Sequence, residues 1–169
     1  MSLQILLYFF HIFREIWRHF HSLRMAKQVA GAAQFEAIEH TADVGYKLFA
    51  PTTAELFEVA GRALFSTITN LDSIKADFSK SFSISADDQE SLLVAWLSEL
   101  NYRFLVEHEL FSEFVIKSLT TKSIEAVVRG EKIDQTRHDI FTEIKAVTYH
   151  GLYILQREDG WEAQVIFDV

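Results

Sequence analysis

Two periods organise the apolar positions of this chain. After Pro51, residues Leu56, Val59, Ala60, Ala63, Leu64 and Ile68 recur at helical spacing, and Phe57 and Phe65 widen the same face. Thr52 with Glu55 three residues on is a capping-box pattern, so a helix is expected from there to about Asn70. A second helical stripe runs through Leu92, Leu93, Trp96, Leu97, Leu100 and Phe104, and by the same logic Asp87 with Glu90 should start it. On its polar side Glu99 and Arg103 are four apart, a pairing worth about 0.3–0.5 kcal/mol.

The other apolar runs are short and bounded by turn residues, which is the mark of strands. Phe35 and Ile38 make a first strand. Tyr46, Leu48 and Phe49 make a second, with Gly45 expected to turn the chain between them. Phe78, Phe82 and Ile84 share a face with Lys80, which suits an edge strand. Residues 114–116 and 124–128 follow, with Gly130 expected at a turn. Residues 144–150, 151–156 and 162–167 read as three more strands, the last two joined by a hairpin at Asp159-Gly160. Strand–strand–helix–strand–helix followed by several strands, without regular alternation, predicts an α+β fold: a mainly antiparallel or mixed β-sheet with two α-helices packed on one face.

Composition adds one division. Residues 35–169 read as a single domain, and residues 1–34 as an N-terminal extension unlike it. Residues 3–13 of the extension are densely apolar, yet too few to span a bilayer. Arg14, Arg18 and Arg24 follow the apolar run instead of preceding it, which is the wrong order for a signal peptide. A surface-lying amphipathic helix is one reading. The favoured one is a misassigned start, with translation beginning at Met25.

Net charge is −8; the first 24 residues carry Arg14, Arg18 and Arg24 against Glu15, a local +2, which leaves −10 for residues 25–169. So acidic a domain is a poor direct binder of nucleic acid, whose affinity for proteins comes mostly from Lys and Arg. It suits a cation or a basic protein partner. The absence of Cys removes thiol chemistry and fits a cytoplasmic protein. Phosphate-loop, dinucleotide-binding and HExxH patterns are also absent. These absences lean away from a self-sufficient enzyme.

Candidate chemistry gathers at two strand ends. Asp43 lies in the stretch HTADVG, and Asp168 with Val169 closes the sequence after the apolar Val165-Ile166-Phe167. Two carboxylates and a terminal carboxylate offer hard oxygens, which suit Ca²⁺ or Mg²⁺. The hypothesis is that Asp43, Asp168 and Val169 converge on one cation. Pattern alone equally allows an ordinary turn acid and a solvated tail residue. His40 could orient the Asp43 carboxylate or simply end a strand. Lys145, inside EIKAVTYHG, could meet a carboxylate or phosphate, or face outward. Arg137-His138-Asp139 looks like an acid–base cluster, but polar loops often hold such residues.

EHTADVG, EIKAVTYHGL and the closing VIFDV, in that order, resemble the archease family over about residues 35–169. The resemblance implies a small α+β accessory protein, not an enzyme. Its partner would be the GTP-dependent RNA ligase that joins 3′-phosphate or 2′,3′-cyclic phosphate ends to 5′-hydroxyl ends in tRNA splicing and RNA repair. The accessory protein promotes guanylylation of the ligase histidine and multiple turnover. An alternative family description is a chaperone-like modulator of a tRNA methyltransferase. The resemblance also implies a divalent-cation site at Asp43, Asp168 and Val169, with Ca²⁺ first and Mg²⁺ or Mn²⁺ as alternatives. Lys145 is carried over as a functional position, less firmly.

Overall fold

A computed structural model describes residues 32–38 and 43–169. The expectations for the extension and for His40 fall on residues outside these. Seven strands and two long helices follow in the order β1 (Gln34–Ile38), β2 (Asp43–Ala50), α1 (Thr53–Ile68), β3 (Phe78–Ser85), α2 (Gln89–Glu107), β4 (Glu109–Leu119), β5 (Ser123–Lys132), β6 (Ala146–Arg157) and β7 (Gly160–Asp168). The class is α+β, as the pattern predicts. The strands form two antiparallel sheets instead of one: β1-β2-β7-β6 and β3-β5-β4. Each helix meets strands of both sheets, so the helices share the core with two sheets instead of lying on one face of a single sheet. Hydrophobic period finds strands but does not name their partners, and the second sheet is a matter of partners.

Capping fixes the helix starts. The Thr52 hydroxyl accepts from the Glu55 N–H at 3.2 Å and donates to the Glu55 carboxylate at 2.7 Å. Helix α2 is capped by Asp88 and not by Asp87, because the Asp88 carboxylate accepts from the Ser91 N–H at 2.7 Å. Its stripe is buried as expected, and Glu99 meets Arg103 at 2.8 Å. His108 ends it in the left-handed conformation, φ 56°.

Three strand expectations change. Gly45 is not a turn: it lies inside β2, where an added Cβ would fall 2.5 Å from the Ile38 Cγ1 atom. Gly130 is likewise inside β5, paired with both Phe78 and Phe111, and an added Cβ would fall 1.8 Å from the Leu110 carbonyl oxygen. In both places glycine permits close approach, which a sequence reads no differently from a turn. Residues 144–150 and 151–156 are not two strands. Strand β6 starts at Ala146 and is continuous but for an irregularity between Thr148 and Tyr153, where Gly151 has φ +61°. The hairpin at Asp159-Gly160 is present, with Arg157 opposite Gly160.

Lys80 sits on the inward face of β3, an edge strand of its sheet among the described residues. Its ammonium lies 2.7 Å from both oxygens of buried Glu109. Burial opposes ionisation of Glu109, but hydrogen bonds from Lys80 and Lys132 outweigh it and hold the carboxyl below its usual range.

Candidate metal centre

The sheet β1-β2-β7-β6 places the candidate residues by register. In β2 the even-numbered Tyr46, Leu48 and Ala50 are buried in the core; in β7 the odd-numbered Ala163, Val165 and Phe167 are. Alternation therefore turns Asp43 and Asp168 to the opposite face. They are paired residues, Asp43 directly across from Asp168. Opposed side chains on one face have Cβ atoms about 4.5–5.5 Å apart. Two residues 125 apart in sequence thus bring their carboxylates side by side at one end of the sheet.

Strand β6 closes the other flank. Ala146 pairs with Asp168, and its methyl leaves room beside the carboxylate. Just before it, the Lys145 N–H donates to the Asp168 carbonyl at 2.8 Å. The Lys145 ammonium donates to the Val169 main-chain oxygen at 2.7 Å and lies 4.0 Å from Asp168 Oδ1. The Lys145 side chain is 69% exposed and that of Asp168 50%, so the cluster faces water. Asp43, Asp168, Val169 and Lys145 are therefore brought together.

Among the described residues no three or more His, Cys, Asp or Glu side chains form a group that could hold an ion. A cation here would rest on two carboxylates and the Val169 oxygens. That set is all oxygen, and it fits a hard divalent ion. The adjacent ammonium shows that the cluster already draws positive charge.

One supporting residue escapes the sequence reading. Asn101 of α2 is buried, and its amide donates to the Ile144 carbonyl at 2.7 Å, while its own oxygen has no hydrogen-bond partner. Ile144 is fully buried. Together they fix the backbone that enters Lys145. The signal was an amide amid the apolar stripe of α2, beside Leu97, Leu100 and Phe104. Next to it a groove of about 310 Å³ is lined by Asn101, Tyr102, Leu105, Val106, Lys145 and Val147. Tyr102, Leu105 and Val106 are exposed apolar side chains.

Arg137-His138-Asp139 lies elsewhere and is structural. Arg137 forks onto buried Glu131 and holds its carboxyl down at about 2. His138 Nδ1 accepts from the Asp134 N–H at 3.0 Å, which leaves Nε2–H to face Glu131 Oε1 at 3.2 Å. The Asp139 carbonyl accepts from Thr69 at 2.7 Å. The cluster ties a loop to the end of α1. His150 falls in the β6 irregularity and is exposed.

Fold and site define a small protein of two antiparallel sheets sharing two helices, with an oxygen-rich, water-facing cluster at the end of one sheet. The chain belongs to the archease family: the model for the Archease protein family (MTH1598/TM1083) matches residues 35–169. It is 41% identical over 140 residues to protein archease of Methanosarcina barkeri, covering 80% of this chain and 96% of that protein. Protein archease of Methanopyrus kandleri is 38% identical over 139 residues, covering 80% and 99%. The solution structure of Methanobacterium thermoautotrophicum protein 1598 superposes with a TM-score of 0.66 at 29% identity, covering 80% and 98%. The crystal structure of an archease, possible chaperone, from Thermotoga maritima gives a TM-score of 0.53 at 25% identity, covering 78% and 94%.

Proposed function

We propose that this protein is a non-catalytic, cation-binding accessory factor of a GTP-dependent 3′-phosphate/5′-hydroxyl RNA ligase, acting in the cytoplasm to promote guanylylation of the ligase histidine and repeated turnover. The observation that carries the reading is the register of Asp43 against Asp168, with the Val169 oxygen at the same sheet end. A bound Ca²⁺, Mg²⁺ or Mn²⁺ would supply positive charge for phosphate oxygens at the partner's active site. The chain's own part is positional. Strands β2 and β7 hold the carboxylates on a rigid sheet, Ala146 leaves access, and the exposed Tyr102, Leu105 and Val106 offer apolar surface beside the site for a protein partner.

A second reading, a chaperone-like modulator of a tRNA-modifying methyltransferase, draws on the same exposed apolar surface and on the Thermotoga maritima relative described as a possible chaperone. The ligase assay separates the two. Guanylylation and multiple turnover of a cognate ligase should rise with this protein. Asp43→Asn and Asp168→Asn, and residues appended after Val169, should abolish that rise. They should weaken Ca²⁺ binding by about tenfold or more, since hard-cation affinity follows ligand charge. Their melting temperature should hold or rise, because like charges across a strand pair repel. No stimulation of a cognate ligase sinks the first reading and leaves the second.

A further inference from the structure

We infer that Lys145 is a tethered competitor for the cation site: its ammonium offsets part of the negative charge of the Asp43–Asp168–Val169 cluster and sets both the affinity and the charge threshold for an incoming ion. The inference rests on the cation-binding reading above and goes beyond it in giving Lys145 a defined part.

Three observations carry it. First, the ammonium is already at the cluster, 2.7 Å from the Val169 oxygen and 4.0 Å from Asp168 Oδ1. An ion bound through the same oxygen would meet that positive charge at close range, so the two compete. Second, the side chain is 69% exposed and its partner half-exposed, so water screens the pair and packing does not lock it. Exposed pairs of this kind are worth at most about 1 kcal/mol, and a doubly charged ion can displace such a partner. Third, the backbone beneath it is fixed. The Lys145 N–H is bonded to the Asp168 carbonyl at 2.8 Å, and Asn101 holds the preceding Ile144 carbonyl at 2.7 Å. The ammonium can swing away while its anchor stays, so it returns whenever the ion leaves.

The tether gives selectivity. A lysine on a fixed anchor acts at high effective concentration, which a free monovalent ion must overcome without any advantage in charge. A divalent ion has twice the charge and gains more from the same carboxylates. Lys145 thereby keeps abundant monovalent ions from occupying the cluster, while it lowers the affinity for divalent ones.

Calorimetric titration of the full chain with Ca²⁺ alone, and with Mg²⁺ alone, tests this with Lys145→Gln and Lys145→Arg. Freeing the cluster of a tethered partner worth at most about 1 kcal/mol should tighten divalent binding by up to about fivefold in Lys145→Gln. Lys145→Arg keeps the charge and should bind as the wild type does. Added KCl should weaken Ca²⁺ binding more in Lys145→Gln than in the wild type. Without metal, Lys145→Gln should melt below the wild type, and it should gain more on adding Ca²⁺. Equal or weaker divalent binding in Lys145→Gln beside a binding wild type overturns the inference and leaves the cation reading standing. No binding by any of the three proteins overturns the cation reading and the inference with it.

Discussion

Glu131 shows how one residue ties acid stability to a loop. Its carboxylate accepts from Arg137, from the Lys75 N–H and from His138, and the Arg137 guanidinium, ahead of the opposing effect of burial, brings its pKa from 4.5 to about 2. A carboxyl lowered on folding stabilises the protein above its unfolded value and loses that contribution as pH falls through its folded value. Stability should therefore fall between about pH 4.5 and pH 2. Glu131→Gln should lose about 2 kcal/mol at neutral pH, since it removes the charge that strengthens the hydrogen bonds from Arg137 and the Lys75 N–H. Urea denaturation across that pH window should show a shallower slope for the variant. A parallel slope would place the acid response elsewhere. The sequence marked Arg137 and His138 but not Glu131, because a Glu inside a strand reads as solvated until its partners are known. Asp43 and Asp168 were legible as acids at strand ends and were expected to converge, but the β2–β7 register that sets them face to face was not legible. That pairing depends on β2 beginning at Asp43 and running through Gly45.

Glycine inside strands is the lesson at the scale of elements. Helix starts were legible to within a residue, because Thr52 caps the first as expected and the cap of the second falls on Asp88, next to the expected Asp87, and the apolar stripes match the buried faces. Strands were found, but their ends and partners were not, and the glycines misled. At Gly130 an added Cβ would meet backbone, the Leu110 carbonyl oxygen at 1.8 Å, which cannot move without opening the β4–β5 ladder. At Gly45 it would meet the Ile38 side chain at 2.5 Å, which can shift without breaking a backbone hydrogen bond. Gly130→Ala should cost about 3 kcal/mol and Gly45→Ala about 1 kcal/mol, bracketing the usual range for overpacking. Chemical denaturation of the two variants checks the order. If Gly45→Ala proves the costlier, the β1–β2 contact is stiffer than its side-chain neighbour implies.

At the scale of the whole molecule, the family match falls on residues 35–169. A protein beginning at Met25 should melt at the same temperature as the full chain and stimulate the ligase equally. A lower melting temperature, or vesicle binding by the full chain alone, would give the first 24 residues a role. Among the described residues, no helix is long and apolar enough to cross a membrane. The order of strands has a consequence for how the protein is made. Strand β7 lies between β2 and β6, yet it is the last of the described strands. While the ribosome is still extending the polypeptide, β2 waits with one side unpaired, and Asp43 has no neighbour across the gap. Only when Asp168 has emerged can the sheet close, and closure completes the core and the charge cluster in one event. A chain cut short by premature termination would therefore carry an open sheet edge prone to aggregation and degradation, and never a half-assembled charge cluster on a closed sheet.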